Sequence, residues 1–207
     1  MREGRANARA AAVPCETSRA MLVREKAVEL FAAEGFGQVS MRDLASHAGI
    51  QAGSIYHHFE SKESLLFEIG ETVYDMLWLN AQTLLRRQRK DDEMLLALVR
   101  AHLSLYREKS SYFCVTEHDA RHLGAQHGQV LDQLRARYEH CYIQLLSPGA
   151  PCVAALAVAV HSMVSILNTL PALLDGSSLS VATVDDLILT TAQSPVRWAL
   201  KRIVSVQ

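Results

Sequence analysis

The sequence predicts an all-α protein, and three observations support this fold class. The chain has 207 residues, of which 49% are hydrophobic but only 6% aromatic, so its core is rich in alanine and aliphatic side chains, as in packed helices. Five prolines and ten glycines leave room for long uninterrupted segments. Apolar residues recur at helical spacing, and neither strand-length alternation nor an internal repeat stands out.

Charge and cysteine content exclude several classes of protein. Lys and Arg number 21 and Asp and Glu 22, which excludes a protein held to nucleic acid by bulk charge alone. The high apolar content excludes a disordered chain. The four cysteines are far apart and form no Cys-x-x-Cys pair, so we expect them reduced. Residues 1–18 lack the apolar stretch of a secretory signal, and we expect a cytoplasmic protein.

The N-terminal third predicts a basic tail followed by four helices. Residues 1–17 read as a disordered tail, and Ser18 is the predicted N-cap of the first helix. Ser40 caps a second, short helix that stops at Gly49. A third short helix carries Ile55 and Phe59 on its inner side. Ser61 then caps a long fourth helix.

The remaining chain predicts five further helical segments. They span about residues 94–108, 112–122, 128–146, 151–174 and 181–204. Pro195 is expected to kink or split the last one. Residues 150–174 are almost wholly apolar and about as long as a membrane span, but His161, Asn168 and Pro171 interrupt them and no Lys or Arg flanks them. We therefore expect a buried interface helix and no membrane.

Residues 40–59 predict a helix-turn-helix. An apolar seam would lock its two helices at a fixed angle; the seam comprises Leu44, Ala45, Ile50, Ile55 and Phe59. The residues left facing outward are Gln51, Ala52, Gly53, Ser54, Tyr56, His57 and His58. Small donors and one phenol suit the DNA major groove, and Gly53, which lacks a Cβ, permits close backbone approach.

Several spaced motifs resemble the TetR family of transcriptional regulators. They are ELFAAEGF at 29–36, SMRDLA at 40–45, GSIYHHF at 53–59 and SKESLL at 61–66. The resemblance covers about residues 18–70. It implies a DNA-binding domain at 18–64 that reads a palindromic operator, and a helical domain at 65–207 that binds a small hydrophobic effector. It also implies a homodimer formed through residues 151–174 and 181–204. We expect a repressor, with an activator as an alternative, and we expect no enzymatic activity, cofactor or metal.

The resemblance assigns roles to individual residues of the DNA-binding domain. Arg42 matches a position that often reaches a guanine or a phosphate, and Tyr56 and His57 match backbone-contacting positions. Lys62 matches a lysine that touches phosphate. Ser40 matches a helix cap whose hydroxyl can also donate to phosphate. The sequence departs from the family at Gln51-Ala52, where many members have a serine followed by a cation. Affinity would then depend on Gln51, Ser54 and the arginines of the N-terminal tail.

Aromatic and histidine side chains of the second domain are the candidates for an effector pocket. They are His102, Tyr106, Phe113, His118, His122, Tyr138, Tyr142 and His161. Ordinary core packing is the alternative for each aromatic residue. Residues 117–123 also resemble TetR members that sense acyl-CoA thioesters, so an acyl thioester is one candidate effector.

Other functions are compatible with parts of the sequence. Cys114, His118 and His122 share a helix face, but one zinc ion would reach all three only if the helix bent. The cations between Arg86 and Lys90 read as a solvated helix end or a second DNA patch. No glycine elbow supports a nucleophile at Ser110 or Cys114. Because Ala52 lacks a charge, a helical ligand-binding protein that no longer reads DNA is the main alternative.

Overall fold

The computed structural model describes residues 15–86, 91–146 and 154–204, and it confirms the all-α prediction for them. These residues form nine α-helices, one 3-10 helix and no strand. The α-helices are α1 (Cys15–Glu34), α2 (Met41–His47), α3 (Ala52–Ile55), α4 (Lys62–Leu85), α5 (Asp91–Glu108), α6 (Ser110–Asp119), α7 (Ala125–Leu146), α8 (Ala154–Leu174) and α9 (Val181–Val204). The 3-10 helix, Ala120–His122, follows α6 directly.

Local capping signals position α2 and α4 as the sequence predicts. The Ser40 side chain accepts from the Asp43 N–H, and Asp43 accepts from the Ser40 N–H, which completes a capping box at the start of α2. Ser61 and Ser64 form the same reciprocal pair at the start of α4. The chain turns after α2 at Gly49, whose φ of 68° favours glycine.

Two hydrophobic cores divide the molecule, and α4 runs through both. We call the first core and its helices the head: it contains residues of α1, α2 and α3, together with Leu65, Leu66 and Ile69 of α4. We call the second the body: α4 contributes from Val73 onward, together with α5 to α9. The head core therefore extends beyond residue 64, the predicted domain boundary, because the first two turns of α4 face α1.

The predicted starts of α1 and α7 are wrong. α1 begins at Cys15 rather than after Ser18, so the predicted tail 1–17 is too long by its last three residues. α7 begins at Ala125 rather than Gly128, because the Glu63 carboxylate accepts from the Gly124 N–H at 2.8 Å. That side chain is 61 positions away and invisible to local sequence patterns.

The last two helices pack against each other and tolerate a proline each. α9 is continuous from Val181 to Val204, so Pro195 does not split it. Its inner-face residues anchor it on both sides of the proline; they are Ile188, Ala192, Val196 and Ala199. α8 has the length and mean hydropathy (1.6) of a membrane span, a property that core helices share. Its inner face lies in the body core.

Some predictions lie outside the described residues. They concern the basic tail up to residue 14, the cations at 87–90, and the first residues of the predicted segment 151–174.

Candidate DNA-recognition site and effector groove

The helix-turn-helix is held together by its inner side chains. Leu44, Ile55 and Phe59 are at most 2% exposed, while Ile50 is half-buried against the same core. The regular α-helix ends at Ile55, but the Phe59 N–H still donates to the Ile55 carbonyl at 3.0 Å. The seam predicted from the sequence therefore fixes the orientation of this short segment.

The predicted DNA-binding side chains share the outer surface of the head. Ser40, Arg42, Gln51, Ala52, Gly53, Tyr56 and His57 are exposed, and Ser54, His58 and Lys62 are half-buried. Tyr56 exposes 55% of its surface although its neighbour Ile55 is fully buried. The Ser40 hydroxyl donates to the Asp43 carboxylate at 2.6 Å, which makes it part of the cap. These bonds lower the pKa of Asp43.

Lys62 has a structural role that the sequence did not suggest. Its ammonium donates to the carbonyls of Phe36 and Val39, at 2.6 and 2.7 Å. It also lies 4.2 Å from the centre of the Phe36 ring. Lys62 therefore ties the loop between α1 and α2 to the start of α4. One N–H remains for the predicted phosphate contact, which stays a prediction.

Replacing Lys62 with methionine is expected to destabilise the head. The change leaves the two carbonyls without their donor, which should lower the free energy of unfolding by about 1–3 kcal/mol. Urea denaturation measures the effect. The control is Lys26→Met, which removes an exposed i,i+3 pair with Glu29 and should cost at most about 0.5 kcal/mol. Equal losses in the two variants would contradict the assigned role.

A junction of α4 and α7 connects the head to the body. The Glu63 carboxylate accepts from the Gly124 N–H and lies 2.8 Å from Nδ1 of His127. The His127 and Gly124 contacts lower the pKa of Glu63. His127 also stacks on Phe67, with ring centres 4.6 Å apart. Movement of α7 therefore reaches the start of α4 directly.

Four of the predicted effector residues lie together inside the body core. His102, Phe113, Tyr138 and Tyr142 are at most 2% exposed. The Tyr138 hydroxyl lies 3.0 Å from His102 Nδ1 and 2.7 Å from the Tyr142 hydroxyl. Burial lowers the pKa of His102 to about 3, although nearby Asn168 opposes part of this shift. This cluster packs against itself instead of lining an open cavity. Core packing is the alternative that the sequence left open for its aromatic residues.

The three remaining histidines of the predicted pocket are exposed, and each contacts a different part of the molecule. His122 stacks on Phe36 of the head, with ring centres 4.9 Å apart. His161 contacts Glu139 at 3.0 Å on the surface of α8. His118 lies 3.7 Å from the Cys114 sulfur. Because His122 faces the head, these residues do not converge, and no cluster of three metal-binding side chains occurs in the described part of the chain.

A substantial cavity lies elsewhere, between α5, α6 and the connection from α8 to α9. We call it the groove; its volume is about 560 Å³. Its apolar wall includes Leu103, Tyr106, Leu174, Leu179, Val184 and Ile188. Its polar wall includes Arg107, Ser110, Ser111, Cys114, Asp175 and Asp185. Ala32 of α1 also lines the groove, so its contents would touch the head. Tyr106 alone of the predicted effector residues lines it.

Comparison with known proteins agrees with this architecture. The family described as "Bacterial regulatory proteins, tetR family" matches residues 23–69, which are the helix-turn-helix and the start of α4. Residues 23–69 belong to the TetR family.

Proteins similar to this chain include named transcriptional repressors. It is 30% identical over 124 residues to the HTH-type transcriptional repressor KstR2 of Rhodococcus jostii, an alignment covering 59% of this chain and 61% of that protein. The chain thus spans less than two thirds of the length of the curated KstR2 relatives that it matches.

Solved structures share the TetR fold over most of the chain. The regulator PfmR from Thermus thermophilus has a TM-score of 0.70 at 24% identity, covering 84% of this chain and 97% of that one. AibR, solved in complex with isovaleryl coenzyme A and operator DNA, has a TM-score of 0.70 at 20% identity, with the same coverage. At these identities the likeness concerns the fold.

Sequence patterns missed most of the groove. Its polar residues come from three separate segments: Arg107 ends α5, Ser110 begins α6, and Asp175 follows α8. Only the turn-forming run DGSS at 175–178 gives a local signal, and it predicts a loop rather than a binding wall.

Proposed function

We propose that this protein is a ligand-responsive, DNA-binding transcriptional repressor. The observation that carries the proposal is the outer surface of the head, where Tyr56 and its polar neighbours project from a segment pinned by buried Ile55 and Phe59. A short helix presented in this way fits the DNA major groove. The head would read one half of a palindromic operator, and the body would sense the effector.

We place the dimer interface on the exposed faces of α8 and α9. Val158 and Leu173 on α8 expose 65% and 78% of their surfaces, and Trp198 on α9 exposes 52%. Such apolar exposure along two adjacent helices supports burial against a second copy of the chain. The neighbouring Ala159 is buried in the core of its own protomer and does not belong to this face.

We place the effector in the groove rather than among the predicted aromatic residues of the body core. A largely apolar cavity of about 560 Å³ suits a small hydrophobic molecule. The groove touches α1 through Ala32, and the Glu63–His127 junction joins α7 to α4. An effector bound there would favour a different position of the head and so release the operator.

An acyl thioester, the candidate effector expected from residues 117–123, stays an untested prediction for this chain. AibR, which shares the fold, was solved with isovaleryl coenzyme A. The alternatives are an activator and a ligand-binding protein that no longer reads DNA. The next experiment distinguishes the second alternative from a DNA-binding regulator.

Two head variants test DNA recognition. The wild-type protein should select an inverted repeat from a random duplex library. Tyr56→Ala should then weaken binding to this operator and to unrelated DNA alike, because it loses a backbone contact. Arg42→Ala should relax the preference at one base pair, at a cost of about 1–3 kcal/mol. Fluorescence anisotropy measures both.

The matched control is Arg100→Ala, an exposed arginine on α5 of the body, which should bind DNA as the wild type does. Equal losses on every sequence for both head variants would contradict the separate roles. Failure of the wild type to select any sequence would favour the non-DNA-binding alternative.

A further inference from the structure

The lining of the groove carries more negative than positive charge. Its described residues include one guanidinium, Arg107, and two carboxylates, Asp175 and Asp185. Arg107 forms an ion pair with Asp185, which joins α5 to α9. The lining cation is thus already neutralised, and it has little charge to offer an anionic ligand.

Asp175 supplies the remaining negative charge. Its carboxylate has no hydrogen-bond or ion-pair partner among the described residues, and it is exposed at the end of α8. Asp175 and Tyr106 line the same groove. Burial, with the Cys114 and Asp175 charges, raises the pKa of the Tyr106 phenol. The groove therefore combines an unpaired carboxylate with an aromatic residue.

We infer that the effector is an amphipathic cation, with an apolar body and a single basic or quaternary nitrogen. The apolar wall formed by residues such as Leu103, Val184 and Ile188 would take the body. Tyr106 and Asp175 would take the nitrogen through a cation–π contact and charge attraction. The inference rests on the groove being the effector site of the proposed function.

The same charges disfavour an acyl-coenzyme A in the groove. Coenzyme A carries several phosphate charges, and such ligands need clustered, unpaired arginine or lysine side chains. Here the only lining guanidinium of the described residues is paired with Asp185. The experiment therefore compares the two classes directly.

Binding of matched ligands tests the charge preference. The probes are decyltrimethylammonium below its micellar concentration, decanol, decanoate and decanoyl-coenzyme A, and calorimetry measures their affinities for the full-length protein. We expect the ammonium to bind about tenfold more tightly than decanoate, with a difference that shrinks at high salt. Tighter binding of decanoyl-coenzyme A than of the ammonium would overturn the inference.

Two variants locate the charge effect. Asp175→Asn should weaken ammonium binding about tenfold and leave decanol binding unchanged, whereas Asp186→Asn, an exposed carboxylate beside the groove that does not line it, should change neither. Asp185→Asn should free Arg107 and strengthen decanoate binding. Unchanged ammonium affinity in Asp175→Asn would contradict the assignment.

DNA binding separates this inference from the proposed function. Operator affinity is measured without ligand and with saturating ammonium. Normal operator binding together with tight decanoyl-coenzyme A binding would overturn the inference of a cationic effector. It would leave the proposed DNA-binding function intact. Loss of sequence-selective DNA binding in the unliganded wild type would instead overturn the proposed function.

Discussion

Replacing Val158 with glutamate is expected to produce folded monomers that bind the operator about a hundredfold more weakly than the wild type. Val158 exposes 65% of its surface in one protomer, so a charge there is harmless to the isolated fold. In a two-fold dimer, however, the change would bury two like-charged carboxylates without partners, which costs several kcal/mol. Sedimentation velocity measures the mass, and fluorescence anisotropy the DNA affinity.

Leu79→Glu is the matched control for this prediction. Leu79 is exposed to a similar extent, 62%, but lies on α4, outside the proposed interface. This variant should remain a dimer with wild-type operator affinity. An intact Val158→Glu dimer would show that the two protomers meet through another surface, and it would leave the helix-turn-helix argument untouched.

The head was predictable because its signals are local. Ser40 and Ser61 each form a capping pair with a residue three positions away. Gly35 and Gly49 adopt the positive φ values needed where α1 ends and where the chain turns after α2. The seam from Leu44 to Phe59 depends only on helical periodicity. Such features need no knowledge of the rest of the chain.

The body was harder to predict because distant segments determine it. The start of α7 depends on Glu63, and the polar wall of the groove joins residues from α5 to α9. Aromatic spacing also gave no means to distinguish cavity walls from core packing, since both need apolar side chains on inner helix faces. Tyr106 and Phe113 illustrate this: their ring centres are 5.1 Å apart, yet only Tyr106 lines the groove.

Acidification is expected to destabilise the body through His102. Burial lowers the pKa of this imidazole to about 3 in the folded protein, whereas the unfolded chain retains an ordinary value near 6.5. As the pH falls below about 6.5, the unfolded chain therefore binds a proton that the folded protein does not bind. This stabilises the unfolded state relative to the folded state. His102 should contribute fully above that pH and cost about 2 kcal/mol of unfolding free energy by about pH 5.

Replacing His102 with glutamine isolates this contribution. Urea denaturation at about pH 7.5 and about pH 5 gives the loss of stability on acidification, and in the variant this loss should be smaller by about 2 kcal/mol. The lower starting stability of the variant does not matter, because the measured quantity is the difference between the two pH values. His140→Gln, an exposed histidine on α7, should retain the wild-type loss. If His102→Gln also showed the wild-type loss of stability, His102 of the wild type would become protonated within the folded protein. The body core would then have to admit water or a carboxylate near Nε2, which has no hydrogen-bond partner among the described residues.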